Sequence, residues 1–261
     1  MKYHLEVGAR TVEDTLAAWK GGADRVELYV SPAEGALTPS LGLVQAAIAT
    51  RKKLGGRLGL FAMIRPRAGD FLYSGHDFDI MCRDTELLYE AGADGFIFGI
   101  VTRDGELDLP RMRELIRRCP GREITLHRAF ESVRSPERTL EQAADLGVNY
   151  VFTGGPPPYG RWGDNQLPKL IEQAAGRLDI VVAVGGQFKT TDLPWLIKTT
   201  GATQYHIING YRKRPSDMQF SYGAKPADDD HLQKSLPTIE YLDETAVREL
   251  RDLFDTFEPS P

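Results

Sequence analysis

Carboxylate and imidazole side chains occur in four short apolar runs of this chain. Glu6 and Glu27 are the carboxylates, and His127 and His206 are the imidazoles. Gathered in one site, these groups transfer protons near neutral pH or bind a hard divalent metal ion. Such chemistry requires that the elements carrying the four residues bring them together.

These runs belong to a regular alternation of short apolar segments with longer segments of helical periodicity. The alternation is typical of βα units around a parallel sheet. The eight predicted strands are His4–Val7, Arg25–Leu28, Leu58–Ile64, Gly95–Phe98, Ile124–His127, Tyr150–Thr153, Ile180–Val184 and Gln204–Ile207. The predicted helices are Val12–Lys20, Leu41–Lys53, Phe78–Glu90, Leu109–Arg117, Pro136–Leu146, Leu167–Ala175, Asp192–Thr199 and Thr245–Phe257.

The fold class follows from the number of segments and the length of the chain. Eight strands in 261 residues favour an α/β fold with one (β/α)8 TIM-type barrel, predicted as a single domain over residues 1–261. A doubly wound open sheet would show the same alternation. Before the last helix, Tyr211–Leu242 has no clear period and is predicted to be a long irregular segment near the barrel mouth.

Side chains alternate between the two faces of a strand, so the apolar neighbours of a polar residue indicate its direction. If Leu5 and Val7 face the helices, Glu6 faces the barrel axis. The same mouth, where barrel enzymes have their active sites, is predicted to receive Glu27, Arg65, His127, Thr153 and His206. Alternatively, these charges only neutralise one another in a buried Glu–Arg–His network.

The loop after the third strand contains two guanidinium groups, Arg65 and Arg67, together with Asp70 and Tyr73. Arginine forks bind carboxylate or phosphate groups, and Asp70 would orient one of them. We therefore predict that these four residues contact a substrate. The alternative is a loop that is braced by an Arg–Asp pair.

Residues after three other strands are further candidates for substrate binding. Arg128 places a cation beside His127, and Gly185-Gly186 resembles the glycine turns that present backbone N–H groups to phosphate. The proline-rich loop Thr153–Trp162 would cover a ligand, or equally form a surface or oligomer contact.

Composition narrows the possible functions. A formal charge of −5 gives no basic surplus for nucleic-acid binding. There is no run of about 18 apolar residues and no signal peptide, which predicts a cytoplasmic protein outside the membrane, with a small-molecule ligand as the favoured partner. The two cysteines, Cys82 and Cys119, lie without a second metal ligand at suitable spacing, which is typical of buried or idle thiols.

Four motifs stand in register along the chain: Gly22–Leu28, Glu34–Ser40, Ile64–Phe71 and His127–Phe130. Together they resemble the CutC family, over roughly residues 1–210. The resemblance implies a cytoplasmic barrel that is commonly a homo-oligomer. It also implies a copper-homeostasis role by name, although the family has no securely established biochemical activity.

The chain departs from this family at positions that bear on function. Tyr29 stands where copper-binding members are proposed to have a cysteine directly after the second strand, which argues against thiolate-bound copper here. Ala68 replaces a glycine, Glu131 replaces an aspartate, and the sixth-strand loop is longer. The resemblance therefore implies a divergent member.

Three functional hypotheses remain. The first is an enzyme, of lyase, isomerase or hydrolase type, that acts on a carbohydrate-like or anionic substrate with Glu6, Glu27 and His127 as acid–base groups. A divalent ion in the same place would be bound by Glu6, Glu27, His127 and His206. The alternative is a copper- or metal-binding protein without turnover, and the third hypothesis is a non-catalytic small-molecule sensor.

Overall fold

Eight parallel strands close into a barrel in chain order in the computed structural model, which describes residues 3–55, 57–154, 166–185, 188–217 and 238–257. The first and last strands pair directly, with Glu6 opposite His206. The fold is therefore the predicted closed barrel and not an open sheet. The strands are β1 (His4–Ala9), β2 (Arg25–Leu28), β3 (Gly59–Met63), β4 (Gly95–Phe98), β5 (Glu123–Leu126), β6 (Tyr150–Thr153), β7 (Asp179–Val184) and β8 (Gln204–Ile207).

Helices surround the barrel and follow the strands. They are α1 (Val12–Gly21), α2 (Leu41–Lys53), α3 (Gly75–Ala91), α4 (Leu109–Arg118), α5 (Pro136–Asp145), α6 (Gln166–Ala174), α7 (Leu193–Thr200) and α8 (Glu244–Asp255). Helix α3 begins three residues earlier than predicted, because a capping box between Ser74 and Asp77 satisfies its first backbone N–H groups. None of the described helices is long and apolar enough to cross a membrane.

Buried apolar side chains form two separate clusters. The large one lies between the strands and the helices and contains both Leu5 and Val7 of β1. The small one lies inside the barrel and consists of Tyr29, Phe61, Met63 and Ile97. The separation confirms the predicted alternation along the strands, and the inward polar side chains share the barrel interior with the small cluster.

The segment Tyr211–Leu242, predicted as irregular, begins and ends in regular strands. Strands β9 (Tyr211–Pro215) and β10 (Thr238–Leu242) pair antiparallel, and residues 218–237 lie outside the described residues. The Tyr211 hydroxyl donates to the Gly8 carbonyl (3.0 Å), and the Leu242 N–H donates to Asp14 (2.8 Å). Both strands are largely exposed, and β9 consists mainly of charged residues, so neither has the pattern of a buried strand that the sequence would reveal.

Candidate functional site

A cavity of about 410 Å³ opens at the C-terminal mouth of the barrel. This volume is within the range of small-molecule sites. Its polar lining includes five of the predicted site residues: Glu27, Arg65, His127, Arg128 and His206. Its apolar lining includes Tyr29, Met63, Phe71, Ile97, Phe152 and Ile208.

Four charged side chains form a continuous network below the cavity. Arg25 Nε donates to Glu6, and Glu6 Oε1 accepts a hydrogen bond from His206 Nδ1 at 2.7 Å. The other ring nitrogen, His206 Nε2, lies 3.6 Å from Glu27 Oε2. Glu27 is therefore the end of the network that faces the cavity, and Glu6 lies one step deeper.

The two carboxylates have opposite protonation behaviour. Burial alone would raise the pKa of Glu6, but the Arg25 charge and the His206 hydrogen bond outweigh it and lower this pKa to about 2. Burial raises the pKa of Glu27 to about 7, and the His206 charge opposes this only in part. Burial would lower the pKa of His206, but the hydrogen bond to Glu6 and the charge of Glu27 raise it. Glu6 thus stays ionised, while Glu27 exchanges its proton near neutral pH.

His127 lies on the β5 side of the cavity as a neutral imidazole. Burial, together with the charge of Arg65, lowers its pKa to about 3. Its Nδ1 accepts a hydrogen bond from the Ala129 N–H at 3.1 Å, which leaves the proton on Nε2. That Nε2–H is buried and has no hydrogen-bond partner among the described residues. His127 therefore offers one free neutral donor.

Arg65 organises the loop that follows β2. Its Nη1 donates to the carbonyls of Gly35 (2.6 Å) and Glu34 (3.0 Å), and its Nη2 donates to the carbonyl of Gly69 (2.8 Å). Gly35 has φ +82°, and a Cβ placed there would lie 2.8 Å from Arg65 Nη1. The glycine thus permits both the left-handed turn and the close approach of the guanidinium.

Substituting Gly35 by alanine is expected to destabilise the protein by about 1–3 kcal/mol and to displace Arg65, because φ is positive and the new Cβ meets the guanidinium. Urea denaturation measures the loss of stability. The matched control is Gly42→Ala in α2, where a Cβ has only Ser40 Oγ within reach, at 4.0 Å. It is expected to change stability by about 0–1 kcal/mol, in the stabilising direction. If the two variants change stability equally, the position of Arg65 does not depend on a glycine at position 35.

Comparison with known proteins assigns the chain to a family. The family model described as CutC matches residues 3–210. The chain belongs to the CutC family. A CutC family protein of Bacteroides thetaiotaomicron is 40% identical over 219 residues, covering 84% of this chain and 85% of the relative. The human copper homeostasis protein cutC homolog is 37% identical over 246 residues, covering 94% of this chain and 87% of the human protein.

The barrel also matches a solved structure of this CutC family. The crystal structure of CutC from Streptococcus agalactiae superposes with a TM-score of 0.69 at 25% sequence identity, covering 78% of this chain and 98% of that one. The predicted family and the predicted barrel are thus both confirmed.

Some of the predicted site residues of this CutC-family chain do not line the mouth cavity. Arg67 binds Asp70 (3.0 Å), Asp77 (3.1 Å) and the Leu72 carbonyl (2.8 Å), so this pair braces its own loop, as the alternative had it. The guanidinium of Arg67 also lies over the ring of Tyr73, 5.0 Å from its centroid, and Tyr73 is buried outside the cavity.

Thr153 is also placed differently from the prediction. Val151 belongs to the outer cluster, and Thr153 shares its side of β6, so Phe152 is the β6 residue that lines the cavity. The Thr153 hydroxyl donates to Glu131 at 3.1 Å. Gly185 does not line the cavity and lies so close to Ile208 that a Cβ there would be 2.6 Å from its side chain. Gly186 and most of the strand-six loop lie outside the described residues.

Two CutC site residues were not predicted. Arg25 lies two positions before Glu27, so the same alternation indicates that it points inward. Glu131 lines the cavity and accepts hydrogen bonds from Arg128 Nε (2.7 Å), Thr153 Oγ1 (3.1 Å) and the Gly154 N–H (3.0 Å). Glu131 was noted only as a departure from the family motif, and no spacing signal in the sequence indicates its three partners.

Among the described residues, Glu6, Glu27 and His206 each offer a donor atom within 4.8 Å of the others, as a metal site requires. Oxygen and imidazole donors suit divalent ions and not Cu⁺, which prefers sulfur. Cys82 and Cys119 are buried and do not line the cavity, so the described residues do not fit thiolate-bound copper there. His127, predicted as a fourth ligand, is not part of this cluster.

Proposed function

We propose that this CutC-family protein is an enzyme that moves a proton on a small polar molecule bound in the mouth cavity. The observation that carries the proposal is the position of Glu27. This carboxyl lines the cavity, is 6% exposed, and accepts no hydrogen bond within the described residues. Its pKa of about 7 allows it to give or take a proton at physiological pH.

The neighbours of Glu27 suit this role. His206 faces Glu27 and is held in place by its hydrogen bond to Glu6. Because Glu6 stays ionised, it stabilises the charged form of His206 and does not itself transfer protons. His127 Nε2 would donate a hydrogen bond to the substrate. The proposal thus gives the three predicted acid–base groups three different roles, with Glu27 as the group that transfers the proton.

The test follows proton transfer directly. Wild-type protein is incubated in D2O with small sugars, polyols and organic acids, and deuterium incorporation at carbon is followed by NMR. We expect exchange into at least one compound, and exchange slower by a factor of about 100 or more for Glu27→Gln. Glu123→Gln serves as the control, because Glu123 is exposed at the start of β5, away from the cavity, and accepts a hydrogen bond from Tyr150 there. Equal rates for the Glu27 variant and the wild type would refute the proposal.

Metal binding without turnover is the second candidate function. The cluster of Glu6, Glu27 and His206 supports it, and so do the names of relatives described as copper homeostasis proteins. Elemental analysis of protein purified without added metal tests it in the wild type, Glu27→Gln and His127→Ala. Metal that is lost from Glu27→Gln and retained by His127→Ala would locate the ion at the cluster. Metal-free protein in all three samples would contradict this candidate.

Three other features of the protein stay predictions. They are the cytoplasmic location, the assembly into a homo-oligomer and the absence of nucleic-acid partners. The carbohydrate-like or anionic nature of the ligand is a prediction as well.

A further inference from the structure

We propose that the cavity binds the carboxylate of a small organic monoacid at Arg65 and His127, with the apolar body of the acid against the apolar residues of the lining. The proposal rests on the proposed function, because it names the class of substrate on which Glu27 acts. It is carried by the charges and the unpartnered donors of the cavity.

The first observation is a buried cation without a counterion. Arg65 is 5% exposed, and within the described residues its guanidinium contacts backbone carbonyls but no carboxylate. The other charged groups of the cavity each lie beside an opposite charge: Arg128 is 2.7 Å from Glu131, and His206 is 2.7 Å from Glu6 and 3.6 Å from Glu27. A buried charge is costly unless an opposite charge accompanies it. The cavity therefore favours one added negative charge.

The second observation is a pair of unused donors on the same wall. Arg65 Nε and His127 Nε2 are both buried without a hydrogen-bond partner among the described residues. Arg65 follows β3 and His127 follows β5, with one strand between them, and the Arg65 charge contributes to the low pKa of His127. The ring of Phe71 contacts both side chains: its centroid lies 4.7 Å from that of His127 and 5.0 Å from the Arg65 guanidinium. A carboxylate has two oxygen acceptors and satisfies one cationic and one neutral donor together.

The rest of the cavity limits the size and charge of the acid. Met63, Ile97, Phe152 and Ile208 line it with apolar surface, which suits a hydrocarbon body and not a second charged group. Phosphate carries up to two negative charges, and it has more acceptor oxygens than the two unused donors can satisfy. The site thus fits a monocarboxylate better than a phosphate ester.

The experiment titrates the wild-type protein with defined probes by calorimetry. The probes are butanoate, 2-hydroxybutanoate, 3-hydroxybutanoate and hexanoate, each paired with its primary amide, and inorganic phosphate. We expect at least one acid to bind at least tenfold more tightly than both its amide and phosphate. Binding of an amide or of phosphate as tight as that of every acid, or no binding by any acid, would overturn the proposal.

The matched variant is His127→Asn. Its side-chain oxygen replaces Nδ1 as the acceptor of the Ala129 N–H, so the turn after β5 keeps its cap. The amide NH2 group of asparagine ends short of the position of Nε2, so the donor is withdrawn from the carboxylate site. We expect the acid to bind at least tenfold more weakly. Arg65→Gln tests the contribution of the positive charge, but it also removes the contacts of the guanidinium with the loop carbonyls. If Arg65→Gln does not fold, the result for His127→Asn decides whether the proposal holds. Unchanged acid binding by His127→Asn would overturn the assignment of this donor.

Titration of Glu27→Gln separates this proposal from the proposed function. Glu27 belongs to the proton-transfer group and not to the carboxylate site, so the variant is expected to bind the acid while losing deuterium exchange. Acid binding together with unchanged exchange in Glu27→Gln would contradict the proposed function alone. Lost exchange in Glu27→Gln without acid binding by the wild type would contradict the carboxylate site alone.

Discussion

Replacing Arg25 by methionine is expected to lower the free energy of unfolding by about 3–5 kcal/mol, because it removes the guanidinium partner of a buried carboxylate and leaves His206 as the remaining one. Arg25 binds Glu6, which is 2% exposed, and its guanidinium lies 4.2 Å from the ring centroid of Tyr150. Methionine fills a similar volume but supplies neither the charge nor the donor. Urea denaturation at pH 7 measures the loss.

The control for Arg25 is an exposed arginine with two carboxylate partners. Arg177 pairs with Glu141 and Asp145, and its side chain is 43% exposed. Arg177→Met is expected to cost about 0–1 kcal/mol, since exposed ion pairs contribute little. Losses of the same small size in both variants would mean that the network below the cavity does not depend on Arg25.

Replacing Glu27 by glutamine is expected to stabilise the protein at pH 8 and to leave stability nearly unchanged at pH 5. The pKa of Glu27 rises from 4.5 to about 7 on folding. When folding raises the pKa of a carboxyl, the protonated form contributes stability to the folded protein. This contribution is complete at a pH below the pKa of the unfolded chain, and it is lost as the pH rises through the pKa of the folded protein. Glutamine resembles the protonated acid at every pH. The gain at pH 8 is therefore expected to be about 2–3 kcal/mol, measured by urea denaturation at both pH values.

Glu131→Gln is the control on the same cavity wall. The Glu131 carboxylate accepts hydrogen bonds from Arg128, Thr153 and Gly154, so this variant is expected to be less stable than the wild type at both pH values. If Glu27→Gln is no more stable than the wild type at pH 8, the ionised Glu27 carboxylate does not destabilise the folded protein. Such a result would remove the physical basis for Glu27 as the proton-transfer group.

Much of the barrel was predictable because buried strands carry a local signal. Apolar runs located the eight strands of the barrel, and their alternation turned Glu27, His127 and His206 inward. Applied to β6, the same rule opposes the prediction for Thr153, because Val151 on the same side belongs to the outer cluster. Applied to β2, it also indicates Arg25. The alternation of side chains along a strand is therefore sufficient to place both Thr153 and Arg25 correctly.

The partners of the site residues could not be predicted. Glu6 contacts His206 because β1 pairs with β8 in a register that brings these two residues opposite each other, 200 positions apart in sequence. No local pattern encodes that register. Loop residues are harder still, since composition does not give their direction: Arg65 lines the cavity, whereas Arg67, two positions later, turns away to brace its loop.

The hairpin of β9 and β10 has a consequence for how this protein can diverge. Pro215 and Thr238 are register partners, so the two ends of the intervening segment are held side by side. The hairpin is anchored to Gly8 and Asp14 at the mouth, and the barrel strands make none of their ladder contacts through it. A change in the length of the chain between β9 and β10 therefore leaves the strand pairing of the barrel intact, so sequence variation there does not alter the register that brings Glu6 and His206 together.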